Sequence, residues 1–390
     1  MRMGRLAFFL CGIILIFFNF IVAQDNRMKV NNYQSKITIC KDRVRLDRDK
    51  DWETAIEKND AGVFSEPRNI EIGKTGDIYI VDSEMKRINV FTSAGNSLRT
   101  IGKEGIGPGE FLFPINIVLD KQDNLVIGDD GMRRVSILNS LGKSLGDFFT
   151  PNTAYFSSLV VTKAGKIILP NLEMTFKLSP LLLIYDIKGN VIGKIGQRGG
   201  EDSDRSERIF LLRNLVEYST DSEDNIYIAY LARPLILKYS KDGKQILEIS
   251  YELPFTIFKT IADRDHFIDF EGPFIKSIST DSKGYIYIVA QTRPKSGKER
   301  TIGRTMGGTY KDKFIKIRSI KADIKPTNTD LYQLLVFDNK GNIKATRQLD
   351  IYCDKIKIFG NEIFCIDTYV THKIYKYKYS YETAPENMGR

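Results

Sequence analysis

A chain of 390 residues that is 42% hydrophobic and 27% charged has too much apolar surface to stay disordered and too much charge for a multi-span membrane protein. Formal net charge is +9. Arg2 and Arg5 together with one segment, Gln291 to Asp330, account for all of it: that segment holds eleven Lys or Arg against four Asp or Glu.

The chain starts MRMGR and continues LAFFLCGIILIFFNFIVA, a positive n-region before a long apolar run. Residues 1–23 therefore read as a signal peptide with Ala23 as its cleavage point, or as an uncleaved membrane anchor. Either reading leaves Arg2 and Arg5 in the cytoplasm and exports everything after them, to the periplasm, the cell surface or the medium. Contact with a membrane is expected only through this segment.

Next comes a β-like run, KITICKDRVRL from Lys36 to Leu46, and then a loop ending NDAGVFSEP at Pro67. From Pro67 onward one grammar recurs: a turn, two apolar runs around a polar turn, an Asp-rich loop, a third run and a Gly turn. It is clearest in PRNIEIGKTGDIYIVDSEMKRINVFTSAGN and, from Ile101 to Leu145, in IGKEGIGPGEFLFPINIVLDKQDNLVIGDDGMRRVSILNSLGKSL. Weaker copies start at Leu159, Leu215, Ile278 and Ile356. Short β-rich runs separated by Asp, Asn and Gly turns are antiparallel hairpins laid end to end.

Counting the turns fixes the architecture. Turns between first and second strands are marked by Gly76, Asn124, Gly165, Asn225, Gly284 and Asn361, which makes six units. Turns between third and fourth strands are marked by Gly95, Gly142, Gly189, Gly243 and Gly341, one fewer. The sixth unit lacks a fourth strand, and the run from Lys36 to Leu46 is free to supply it, closing a ring and protecting its edges. The expectation is an all-β six-bladed propeller of four-stranded antiparallel blades over residues 36–380, with 381–390 as a tail.

IGKEGIGPGEFLFP, a strand ending in Asp (Asp82, Asp129, Asp367), a basic residue opening the next strand (Arg87, Arg134, Lys373) and a turn glycine together resemble the NHL repeat. The whole chain resembles exported bacterial six-bladed propellers built from that repeat. The resemblance implies a fold and leaves function open, since relatives include lyases, lactonases and RNA binders. The recurring Asp and Arg spacing implies structural pairs within each blade.

Cys11 lies in the apolar leader, leaving Cys40, Cys353 and Cys365. A hairpin around Gly360 and Asn361 pairs Ile356 with Cys365, a register that argues against a Cys353–Cys365 bond and for buried free thiols.

The basic segment interrupts the fifth unit between YIYIVA and LYQLLVFD. Its beginning, QTRPKSGKERTIGRTMGGTYKDK, reads as polar, flexible and unpatterned; its later FIKIRSI reads as a strand lying on the body. The candidate binding groups are Arg293, Arg300 and Arg304, supported by Lys311 and Lys313, because guanidinium groups offer bidentate contacts to carboxylate or phosphate. Propeller topology puts this insertion on the face that also carries the Trp52 loop, the Lys103 to Phe113 loop, Gln197 to Leu211, and Pro254 to Phe274. The last contains DRDHFIDFEGPF, which adds Asp265 and His266 as candidates.

Catalytic signatures are thin. With only His266 and His372, imidazole-based metal chemistry is not expected, and there is neither a G-x-S-x-G motif nor a phosphate-binding glycine loop. No metal or cofactor site is predicted, although Asp, Asn and Glu from different blades leave room for an oxygen-ligated calcium or other divalent ion at the channel. Nucleic acid is not an expected partner, since the basic segment offers only Tyr310 and Phe314 for stacking. Two functions follow. The first is a monomeric, non-enzymatic exported scaffold that engages an envelope or extracellular protein, or an anionic polymer, through the loop face. The alternative is a divalent-metal-dependent hydrolase or lyase with a carboxylate site at the central channel mouth. Three or more Asp, Glu, Asn or His converging at that mouth would favour the enzyme; apolar and hydroxyl lining would favour the scaffold.

Overall fold

The computed structural model describes residues 28–32, 43–58, 64–150, 158–171, 179–199, 213–251, 258–260, 268–270, 275–293, 301–310, 313–321, 331–368 and 371–382. It opens with two strands whose partners come much later, β1 (Met28–Asn32) and β2 (Arg43–Arg48), and one helix, α1 (Lys50–Glu57). Blade one follows as β3 (Pro67–Ile72), β4 (Ile78–Asp82), β5 (Arg87–Phe91) and β6 (Ser97–Ile101), and blade two as β7 (Pro114–Leu119), β8 (Leu125–Asp129), β9 (Arg134–Leu138) and β10 (Ser144–Phe149). Blade three is the shortest: β11 (Val160–Val161), β12 (Ile167–Pro170), β13 (Leu182–Tyr185) and β14 (Val191–Ile195). Blade four is β15 (Val216–Thr220), β16 (Ile226–Tyr230), β17 (Leu235–Tyr239) and β18 (Gln245–Tyr251). A small hairpin, β19 (Phe258–Thr260) and β20 (Ile268–Phe270), precedes blade five, which starts with β21 (Ile275–Thr280) and β22 (Ile286–Gln291). A second hairpin, β23 (Thr301–Tyr310) and β24 (Lys313–Lys321), interrupts that blade before β25 (Tyr332–Phe337) and β26 (Ile343–Gln348). Blade six is β27 (Lys355–Phe359), β28 (Glu362–Ile366) and β29 (Ile374–Glu382).

The fold is the expected six-bladed propeller of antiparallel four-stranded blades, closed by its N-terminal segment. The outer strand of blade six is β2, antiparallel to β29 from Arg43 opposite Glu382 to Arg48 opposite Tyr377. The closing strand thus sits a few residues later than the Lys36 to Leu46 run, whose residues 36–42 lie outside those described. One pairing has no counterpart in the sequence reading: β1 adds in parallel to the outer edge of blade four, with Met28 opposite Leu247 and Asn32 opposite Tyr251. Blade four is therefore five-stranded.

Apolar side chains fill the wedges between neighbouring blades. Tyr79, Val81, Ile88 and Val90 of blade one, for example, pack with Ile117, Leu125, Ile127 and Leu138 of blade two. Between blades six and one the wedge is filled by α1, whose Trp52 and Ile56 are buried. Trp52 meets Phe364 edge-on at 5.7 Å. Asp49 caps this helix by accepting from the Trp52 amide, and acidic Asp51 and Glu53 sit in its first turn, where the helix dipole favours them. Trp52 is therefore a packing residue and not part of a binding loop.

The turn count holds with one shift of register. Left-handed backbone between first and second strands falls on Gly76, Asp123, Gly165, Asp224, Gly284 and Gly360. In blades two, four and six it is the residue before the expected Asn that turns the chain. Asp tolerates this region by hydrogen bonding locally, and the following Asn instead donates its side-chain amide to an upstream Asp, as Asn124 does to Asp120 and Asn225 to Asp221 at 2.9 and 3.0 Å. The TDSEDN run at Thr220 is thus a strand turn. Gly102 shows a steric need for glycine: at φ +86°, a Cβ there would lie 2.2 Å from the buried Phe111 ring.

Cys353 and Cys365 are buried free thiols, with Ile356 opposite Cys365 as the sequence predicts; Cys40 lies outside the described residues. Burial pushes the Cys353 thiol well above its ordinary range, and the thiolate is the reactive form. In a Cys40→Ser protein lacking residues 1–23, a thiol reagent should label neither cysteine in the native state and both in denaturant. Rapid native labelling, or an intact mass two protons light, would contradict this.

Candidate functional site

The Asp and Arg repeats prove to be scaffolding, although not as the charge pairs that spacing suggests. Asp129 and Arg134 sit opposite each other in register, yet each turns to backbone. The Asp129 carboxylate is wholly buried and accepts from the Leu112, Phe113 and Met132 amides at 2.8, 3.0 and 3.1 Å. Asp82 does the same for Ser65, Glu66 and Met85. Each carboxylate clamps the chain as it enters its own blade. The Arg134 guanidinium donates to the carbonyls of Ile106, Gly107 and Glu110, holding the Gly/Pro loop over the blade. His372 occupies the same left-handed turn position as Lys86 and Arg133, so its place in the chain is a turn requirement.

The loop face carries two hairpins. β23 and β24 pair from Thr301 opposite Lys321 to Tyr310 opposite Lys313, with a bulge between Ile302 and Thr305. This corrects the expectation of an unpatterned early half: TIGRTMGGTY is a strand whose partner lies within the insertion, so no alternation against the propeller body is required of it. β19 and β20 form the second hairpin, from the connection between blades four and five, and β24 lies beside β20. Of the candidate residues, Arg304 falls at the β23 bulge and Lys313 opens β24; Arg293 stands at the root of the insertion, where its carbonyl accepts from the Gln291 side chain at 2.8 Å. Arg300, Lys311, Asp265 and His266 lie outside the described residues.

The second feature is the ring axis, which sequence reading did not populate. Inner strands from all six blades surround a central cavity of about 150 Å³. Their pairing registers sort the lining into two tiers. Opposite Val81, Gly128, Ala229, Val289 and Ile366, near the ends of the second strands, stand Asn69, Asn116, Glu217, Ser277 and Lys355, and Ser158 lies ahead of β11 in blade three. Because every inner strand leaves from the loop face, this wholly polar tier is the loop-side mouth. One step deeper stand Glu71, Val118, Val160, Ser219, Ser279 and Lys357.

Each tier holds one carboxylate and one ammonium group in contact. Lys355 reaches from blade six to Glu217 of blade four at 2.8 Å, and Glu217 also accepts from the Ser158 hydroxyl. Lys357 meets Glu71 of blade one at 2.6 Å. Ser277 and Ser279 accept from the Ile356 and Ile358 amides at 3.1 Å, tying blade five to blade six. Beside the mouth, burial lowers the Lys276 pKa, partly offset by the Asp354 carboxylate. Burial likewise raises the pKa of Asp354, against the pull of Lys276 and the Thr368 hydrogen bonds.

Asn69, Asn116 and Glu217 meet the count that favoured an enzyme, but their chemistry does not suit a divalent cation, because an ammonium group already contacts the one carboxylate of that tier. Among the described residues no group of three or more His, Cys, Asp or Glu is placed to hold a metal ion. The signal for this tier was present in the chain: Glu217 in VEYST and Lys355 and Lys357 in KIKIF put charge into strands that are otherwise buried. It becomes legible only when the six inner strands are laid over one another.

A family model described as a 6-bladed beta-propeller matches residues 55–137. The chain is similar to a protein of Bacteroides fragilis described as exported, at 10% identity and TM-score 0.56 over 91% of this chain and 99% of that one. A Bacteroides vulgatus protein gives 10% and 0.51 over 87% and 99%. Virginiamycin B lyase from Staphylococcus aureus gives 10% and 0.46 over 86% and 99%. No curated protein sequence matches the chain. The class these findings define is the six-bladed β-propeller. Among the described residues no helix is long and apolar enough to cross a membrane.

Proposed function

We propose that the protein is an exported binding scaffold whose rigid ring presents a basic hairpin platform to an anionic partner, a protein or a polymer of the envelope. The observation that carries this reading is the insertion in blade five, which concentrates the chain's excess positive charge and builds β23 and β24 alongside the β19–β20 hairpin. A chain segment that served only solubility would not need a ten-residue strand paired within itself. Its charge sits on the face where propeller connections emerge, and loops on a rigid scaffold are where binding groups concentrate. The likeness to an exported protein and the NHL-like repeat grammar agree with a secreted ring. Arg293, Arg300 and Arg304 are the proposed contacts, with Lys311 and Lys313 adding field strength and Asp265 and His266 as further candidates.

The test uses protein lacking residues 1–23 on a dextran sulfate resin, alongside a pull-down from envelope extract. Attraction between exposed charges is screened over about 8 Å at physiological salt, so retention should fall steeply as salt rises. Replacing residues 292–328 with a short Gly/Ser turn should leave the propeller folded and abolish retention. A folded, shortened protein retained with the same salt dependence would overturn the assignment of binding to the insertion.

A further inference from the structure

Independently of the hairpin platform, we propose that the loop-side mouth of the central channel is a binding site for a small zwitterion of the α-amino acid type, its ammonium group received by Glu217 and its carboxylate by Lys355. Geometry and charge together favour this class. The cavity of about 150 Å³ is the size that accepts a compact solute of around six non-hydrogen atoms. Six polar side chains from six blades converge on it: Asn69, Asn116, Ser158, Glu217, Ser277 and Lys355. Polar groups converging in a concave site are what fixes the orientation of a small ligand.

The alternative role, stapling the ring, explains the ion pairs less well. Paired charges taken out of water are weak contributors to stability compared with apolar residues of similar volume. The deeper tier shows that Val is tolerated on this axis, since Val118 and Val160 line it in blades two and three. Keeping the mouth wholly polar calls for a different reason, and a guest supplies one.

Balance of charge selects the guest. Glu71, Glu217, Lys355 and Lys357 sum to zero, and Glu217 touches Lys355 at 2.8 Å. A simple anion seated there would compete with Glu217 for Lys355 and leave a mostly buried carboxylate facing negative charge. A simple cation would do the converse to Lys355. A zwitterion entering between the two replaces each partner's lost contact, so neither charge is left uncompensated. The Ser158 hydroxyl, already donating to Glu217, fixes the carboxylate that would take the ammonium group, while Asn69, Asn116 and Ser277 border the space left for the backbone of the guest.

Methyl NMR of isoleucine-labelled protein lacking residues 1–23 reads the site directly, because Ile70, Ile117, Ile278 and Ile356 line the cavity. The probes are glycine and L-alanine, with acetate, ethylammonium and glycerol as the single-charge and neutral comparisons. Glycine or alanine should shift these methyl resonances with a Kd of about 1 mM or tighter, and each single-charge half should bind at least about tenfold more weakly. The Glu217→Gln, Lys355→Gln double substitution, which keeps hydrogen bonding while removing both charges, should weaken binding by at least about tenfold. Where that double variant does not fold, the comparison of zwitterion with its halves on the unaltered protein decides alone. The proposal is overturned if none of the zwitterions shifts the lining methyls, if acetate or ethylammonium binds as tightly as glycine, or if a folded double variant binds as the original does.

Discussion

Removing residues 24–57 should leave a protein that aggregates or melts far below the full chain, whereas a permutant carrying residues 43–63 after Glu382 should melt close to it. The deletion strips β2 from β29 and α1 from the wedge between blades six and one, and it also takes β1 from the edge of blade four, a loss the permutant shares. Val44, Trp52 and Ile56 are all but fully buried, and at about 1.5–3 kcal/mol each their burial amounts to roughly 5–9 kcal/mol. That is comparable with the whole stability of an ordinary domain, about 5–15 kcal/mol. Arg48 is lost as well, with its contacts to Glu53 at 2.8 Å and Asp350 at 3.1 Å. The β29 edge left behind, IYKYKYSYE, is nine residues long and rich in tyrosine, the kind of unpaired edge that templates association. In the permutant Arg43 follows Glu382 through a short turn, which suits two residues already opposite each other. Thermal melting and light scattering on the three proteins separate loss of the strand from loss of chain connectivity. A deletion variant that melted as the full protein does would show that the ring closes without β2.

What could be read from the chain was whatever the backbone demands locally. Turns concentrate Gly and Asn, so six first turns and five later ones were countable even though in three blades the left-handed residue is the one before the Asn, and the missing fourth strand pointed to its replacement. Partners were harder. Asp129 and Arg134 attract each other on paper because both are charged, but backbone amides and carbonyls carry no sequence signature, and these are what the two side chains bind. Strand β1 reads MKVNN, with no alternation to announce it; its placement follows from the edge that β18 offers. TIGRTMGGTY shows no pattern toward the core because its partner is β24. The channel tiers were hidden for another reason: Asn69 and Lys355 are separated by nearly the whole propeller in sequence and meet only after the ring has closed.

The other large effect is expected from one carboxylate. Asp129→Ala should lower stability by about 3–5 kcal/mol, since three part-buried amide donors lose their acceptor and each unsatisfied group costs about 1–3 kcal/mol, the lower part of that range applying where solvent reaches the donor. Those donors, Leu112, Phe113 and Met132, lie on both sides of the side chain: two bring the chain into blade two and one shapes the turn leaving β8. With Asp129 wholly buried, water reaches the vacated space poorly, so little of the loss is recovered. Asp129→Asn keeps one acceptor oxygen and should cost roughly half as much. Arg134→Ala should cost less again, about 1–3 kcal/mol, because the Ile106, Gly107 and Glu110 carbonyls it satisfies belong to a loop that solvent reaches. Urea unfolding gives the magnitudes. Hydrogen exchange gives the location, with protection lost at Leu112, Phe113 and Met132 before it changes in blade five. A loss of less than about 1 kcal/mol for Asp129→Ala would mean that the entry into blade two is held by packing of Phe111 and Pro114 and not by the buried carboxylate.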